Sequence, residues 1–169
     1  MLYALHMPGN STSSRLGNHY FHTFQRLLTA GKANSMTLKC INPKDIRTPV
    51  TYSHVVVATG GRQVFIAGQV AEDSQGNLIG AGDMTAQARQ VFANIGRALA
   101  AADAQPQQVT KLTIFVANYR REHLAMIEEG RIALFGDHKP TDTLVGVAAL
   151  SRPEYLLEVD AIAVIDDAT

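Results

Sequence analysis

The stretch Pro140-Thr141-Asp142-Thr143-Leu144-Val145-Gly146-Val147-Ala148-Ala149-Leu150, followed after a short turn by Leu156-Leu157-Glu158-Val159-Asp160-Ala161-Ile162-Ala163-Val164-Ile165, decides the fold. Thr143 to Leu150 and Tyr155 to Ile165 read as the last two strands. In the second, Leu157, Val159, Ala161, Ala163 and Ile165 alternate with Glu158 and Asp160. One face of that strand is therefore apolar and the other carries two acids. We read the apolar row as an outer sheet face, which predicts cover by further copies of the chain.

Upstream, a first strand is expected from Met36, and Pro43 and Pro49 bracket a polar connection. His54 to Ala58 and Gln63 to Ala67 read as strands, joined across Gly60-Gly61 as a hairpin. Asp73-Ser74-Gln75-Gly76-Asn77 is a turn cluster. Asp83 is a candidate N-cap for a helix whose apolar positions are Ala88, Val91, Phe92, Ile95, Ala98, Leu99 and Ala102. Gly96 within it is expected to allow close packing on a sheet. Val109 to Ala117 reads as a strand and Arg120 to Phe135 as a second helix. The order β-β-β-α-β-α-β-β predicts an α+β domain with two long helices on one face of a mixed sheet.

Composition narrows the function classes. The chain has 169 residues, 15 Lys and Arg against 15 Asp and Glu, and 46% hydrophobic residues. That suits one domain with its own core. Bulk charge offers no case for nucleic acid or membrane partners. The single cysteine, Cys40, is expected to be a small buried hydrophobe and not a nucleophile. It has no intramolecular disulfide partner, which points to a reducing, cytoplasmic setting. His54, His123 and His138 show no metal-ligand spacing. Residues 1–44 contain no acid but hold Arg15, Arg26, Lys32, Lys39 and Lys44, with an amphipathic pattern in Leu16, Tyr20, Phe24, Leu27 and Leu28. Residues 1–35 therefore read as an extension (an organelle transit segment, a bacterial leader, or sequence upstream of the true start), and 36–169 as a single domain.

The segment Pro140 to Ile165 resembles the C-terminal signature of the RidA/YjgF/UK114 family, which begins Pro-x-Arg and ends in a strand carrying a glutamate. Pro140 and Glu158 match it; Asp142 stands in the arginine position. Tyr52-Ser53, Gly68-Gln69, the set Gln87, Gln90 and Asn94, and Val109 to Val116 resemble further family segments. The resemblance spans about Met36 to Ile165. It implies a chorismate-mutase-like two-layer domain with a sheet of about six strands. It also implies a homotrimer with small-molecule clefts at subunit interfaces, and imine or enamine deamination without metal or organic cofactor. Site residues carried over are Tyr52, Ala67, Gly68, Asp142, Leu144 and Glu158. Glu158 is the expected acid/base that positions water; Tyr52 lines the cleft. Ala67 stands in place of a serine, and Leu144 in place of a cysteine whose backbone carbonyl persists.

Asp142 decides how far this carries. In active members the arginine grips the substrate carboxylate. Two like charges about 4 Å apart repel by about 4 kcal/mol at an effective dielectric near 20, so a 2-imino acid is disfavoured. Either Asp142 selects a neutral or cationic substrate, or it serves its own turn beside Thr141 and Thr143. Lys139, Arg152, or Arg62 of a neighbouring copy are candidate substitute cations. Three functions follow: a hydrolase of an imine, enamine or related amine metabolite; a non-catalytic trimer that binds a ligand or another protein; and a ribonuclease or translation inhibitor. The last needs a basic surface that the sequence does not display.

Overall fold

The computed structural model describes residues 35–167; the transit-like segment lies outside them. The elements run β1 (Thr37–Ile41), β2 (Val55–Thr59), β3 (Arg62–Gln69), α1 (Met84–Ala101), a short 3-10 turn (Pro106–Gln108), β4 (Val109–Ala117), α2 (His123–Phe135), β5 (Thr141–Val147) and β6 (Leu157–Ile165). Four strands form a mixed sheet in the order β3-β6-β4-β5. β6 runs antiparallel to β3 and β4, and β4 runs parallel to β5. The two helices pack against each other over one face, giving the expected α+β class.

Two features differ from expectation. The sheet has four strands, because β1 and β2 pair only with each other, in the register Thr37↔Thr59 to Ile41↔Val55. The hairpin expected across Gly60-Gly61 is therefore absent. Both glycines hold positive φ, 72° and 78°, a conformation that costs glycine little. β1 and β6 take up the edges that β2 and β3 would have offered each other. Cys40 lies in this ribbon and is exposed, not buried, since neither helix covers it.

The helix pattern is realised closely. Asp83 caps α1, its carboxylate accepting from the Ala86 amide at 3.0 Å. Met84, Ala88, Val91, Phe92, Ile95 and Leu99 are buried along one stripe. They pack on Leu112, Ile114, Val116, Leu157, Val159, Ala161 and Ala163. The apolar row of β6 thus faces the helices, which corrects its reading as an outer face: the helices supply its cover. Gly96 serves the other helix and not the sheet, since a β-carbon there would lie 2.9 Å from Leu134 Cδ1. Gly130 of α2 is tighter still, with a β-carbon 2.7 Å from the Ala88 backbone. Two glycines bring the helix axes together, and neither adopts an unusual φ to do so.

Candidate active site

Strand register sorts the candidate residues by face, because partners directly across a ladder share a side of the sheet. Glu158 lies opposite Phe115, and Asp160 opposite Thr113. Both acids therefore point away from the helices. Ile66 pairs with Ala161, but Gln69 pairs with Val159. Three steps along β3 match two along β6, so Ala67 and Gly68 form a bulge opposite Asp160. The Glu158 side chain lies across Gly68: a β-carbon there would sit 2.7 Å from Glu158 Cδ and 2.9 Å from Cγ, and closer still to Oε1. A larger residue at this position would have to push the Glu158 side chain aside.

Sequence reasoning missed Phe115. The register sets it between Glu158 on β6 and Val145 on β5, so it walls the same patch. Its signal was present in the alternation of β4, where Phe115 falls out of step with the buried Leu112, Ile114 and Val116. Phe65, also outward, is 71% exposed. Lys111 shares this face and donates to the Thr143 hydroxyl.

The other predicted residues lie elsewhere in the chain. Asp142 pairs with Leu112 and Leu144 with Ile114, so both belong to the helix-facing side. Leu144 packs against the core. Burial and then the nearby Glu128 carboxylate raise the Asp142 pKa, while Arg131 and Lys111 oppose the rise. Tyr52 stands at the foot of β5, where the Ser53 amide donates to the Pro140 carbonyl at 3.1 Å. Its ring meets His54 edge-on, centroids 5.5 Å apart. Within one chain, then, Ala67, Gly68 and Glu158 come together, while Tyr52, Asp142 and Leu144 do not join them.

Of the three candidate substitute cations, Arg152 and Arg62 have partners within the chain. Arg152 Nη1 lies 3.1 Å from Glu72 Oε1, and its guanidinium stacks 5.6 Å over the Tyr155 ring. The Tyr155 hydroxyl donates to the same Glu72 carboxylate, a bond that raises its pKa. Arg62 reaches the Asp166 carbonyl at 3.5 Å. His54 Nε2 lies 2.8 Å from the Arg47 carbonyl and His138 Nε2 2.7 Å from the Val109 carbonyl. Among the described residues no group of three His, Cys, Asp or Glu is placed to hold a metal ion.

The polar residues of α1 hold the frame around the bulge. Gln87, fully buried, donates to the carbonyls of Gly80 at 3.1 Å and Glu154 at 2.9 Å, and accepts from the Leu156 amide at 2.9 Å. It thus fixes the entry to β6 two residues before Glu158. Gln90 and Asn94 each donate to the Glu72 carbonyl at 2.9 Å, and Asn94 also to Val70 at 2.9 Å. These bonds satisfy loop carbonyls that no strand partner reaches. Beside them a groove of about 730 Å³ runs from Gly68 and Gln69 to Asn94 and Arg97.

A mixed sheet backed by two close-packed helices, with a glutamate over a glycine bulge on its open face, places the chain among small two-layer α+β domains. The family described as Endoribonuclease L-PSP matches residues 43–165, and the chain belongs to this family, the Rid/YjgF/UK114 proteins. A Rid family protein of Yersinia pestis, described as of unknown function, superposes with a TM-score of 0.72 at 37% identity, covering 76% of this chain and 98% of its own. A RutC family protein of Synechocystis is 31% identical over 137 residues, 77% of this chain and 98% of its own. A 2-iminobutanoate/2-iminopropanoate deaminase of Dermatophagoides farinae is 27% identical over 106 residues, 63% of this chain and 80% of its own.

Proposed function

We propose that this protein is a Rid-type hydrolase of an imine, enamine or related small amine metabolite. It works as a homotrimer in clefts where the open sheet faces meet. The observation that carries the reading is the Glu158 carboxylate lying over the Gly68 bulge. Glu158 takes part in none of the ion pairs among the described residues, which join Arg89 to Glu129, Arg131 to Glu128 and Arg152 to Glu72. It is thus available as an acid/base.

In the proposed reaction Glu158 accepts a proton from water as the water oxygen bonds to the imine carbon. The proton passes to nitrogen to give a carbinolamine; the same carboxylate then moves the hydroxyl proton to the amine, the C–N bond breaks as the C=O bond forms, and ammonia leaves a carbonyl product. Phe115 forms an apolar wall beside the reacting carbon. Among the described residues of one chain, the outward face near Glu158 carries Asp160 and Lys111 and no guanidinium fork of the kind that grips carboxylates. The substrate is accordingly neutral or cationic. Outward Phe65 and Val145 are the apolar surface that trimer formation would bury. The exposed Cys40 thiol fits a reducing compartment such as the cytoplasm. Among the described residues no helix is long and apolar enough to cross a membrane.

The test is ammonia release by the purified protein from freshly generated imines of neutral amines, cationic amines and small 2-amino acids. Turnover of the neutral or cationic set supports the proposal. Preference for the 2-imino acids refutes the stated specificity, and silence across the set leaves the trimer as a ligand-binding module.

A further inference from the structure

The groove beside the bulge lies between the polar flank of α1 and the end of β3, an edge strand that no further strand covers. Its lining carries three charged side chains, Glu72, Asp73 and Arg97. The two acids are already committed. Glu72 accepts from the Tyr155 hydroxyl and pairs with Arg152 at 3.1 Å. Asp73 closes its own turn, accepting from the Gln75 amide at 2.8 Å, the Asn77 amide at 2.9 Å and the Asn77 side chain at 3.0 Å.

Arg97 is placed differently. Other arginines of the helices meet acids: Arg131, only 3% exposed on the buried stripe of Ile127 and Phe135, meets Glu128 at 2.7 Å, and Arg89 meets Glu129 at 2.7 Å. Among the described residues Arg97 joins no ion pair. Its Nη1 donates instead to Asn94 Oδ1 at 2.5 Å. That amide cannot turn away. Its oxygen also accepts from Gln90 at 3.1 Å, and its nitrogen is spent on the Val70 and Glu72 carbonyls at 2.9 Å each. A guanidinium has five N–H donors. One fixes its place at the groove, and the others are left for a ligand.

We propose that this groove is a second ligand site, which binds a small monocarboxylate. The carboxylate sits on the Arg97 guanidinium and the carbon chain runs along Val70, Ile79 and Ala98 toward Gly68. The planar fork suits two-pronged recognition of a carboxylate. A doubly charged phosphate is disfavoured, because the Asp73 carboxylate lines the same groove. Glu158 does not line it; Gly68 is common to the groove and to the Glu158 contact. The site goes beyond the hydrolase reading and does not depend on it, since binding is measured without turnover.

The experiment titrates the full chain with hexanoate and follows the Gly68 and Gln69 backbone amides and the Arg97 Nε signal by NMR. Hexanamide is the uncharged counterpart and inorganic phosphate the alternative anion. Saturable shifts at all three positions are expected with hexanoate, and binding about ten-fold weaker or worse with hexanamide. Butyrate, shorter by two methylenes, is expected to bind several-fold more weakly. Arg97 is exposed on α1, so Arg97→Gln keeps the fold and is expected to weaken hexanoate binding about ten-fold or more. Arg97→Lys, which keeps the charge and loses the fork, is expected to lie between the two. Absence of saturable shifts, equal binding of hexanamide, or undiminished binding in Arg97→Gln overturns the proposal. Phosphate binding tighter than hexanoate overturns the choice of a monocarboxylate. Absence of ammonia release with these shifts intact would instead refute the hydrolase reading and leave the groove site standing.

Discussion

Glu158 lies across Gly68 so closely that residue 68 has no room for a β-carbon. The atoms that would collide belong to the outer part of the glutamate side chain, which can swing aside. Gly68→Ala is therefore expected to cost only about 1–3 kcal/mol of stability while displacing the carboxylate. Since a misplacement near 1 Å can reduce a rate about 100-fold, ammonia release should fall far more than thermal stability. Parallel losses in both would mean that the glycine serves only the strand.

Glu158 and Asp160 share the open face but not the bulge contact. Glu158→Gln should lower turnover by about 100-fold or more and leave the melting temperature nearly unchanged. Asp160→Asn should retain most activity. The opposite ranking, measured as kcat on one imine substrate, would assign the acid/base role to Asp160.

Gln87 is the polar residue most committed to the fold. Gln87→Leu keeps the volume but strands the Gly80 and Glu154 carbonyls and the Leu156 amide, which it now satisfies. A loss of about 3 kcal/mol is expected, read from the urea midpoint. A loss within a few tenths would mean that these groups find other partners.

Asp142 gives the protein a pH signature. Its pKa is raised, by burial first and by Glu128 second, so the folded chain holds this proton to a higher pH than the unfolded chain. Its stabilising contribution is full below the unfolded carboxylate value and is lost as pH rises through the folded one. Asp142→Asn should flatten the fall in melting temperature across that interval and be the more stable protein at neutral pH. Matching profiles for parent and variant would show that residue 142 is effectively solvated.

Much of this was legible in the chain itself. The stripe from Ala88 to Leu99 and the opposite facing of Glu158 and Leu157 follow from period, and the Asp83 cap from its residue type at the helix start; Met84 at the head of the stripe was not foreseen. Gly68 could be carried over by likeness, but the reason for it could not. That reason is a one-residue mismatch between β3 and β6, which depends on two distant segments. The apolar row of β6 was read with its cover on the wrong side, because alternation defines two faces without saying which one meets the helices. Arg131 escaped notice for a related reason. A charged residue on a weakly patterned helix looks solvated until Ile127 and Phe135 fix the direction of that face. The single thiol misled differently, since cysteine's general preference for interiors says nothing about a ribbon that no helix covers.

The bulge at Ala67 and Gly68 also acts as a phase shift along β3. Before it, even-numbered Ile66 looks toward the helices; after it, that orientation passes to odd-numbered Gln69, paired with Val159. Deleting Ala67 or Gly68 would restore one-to-one pairing with β6, leave the glutamine opposite Val159, and set a single residue opposite Asp160 where two now form the bulge. The spacing from Ile66 to Gln69 thus sets, together with the identity of Gly68, where the Glu158 carboxylate lies.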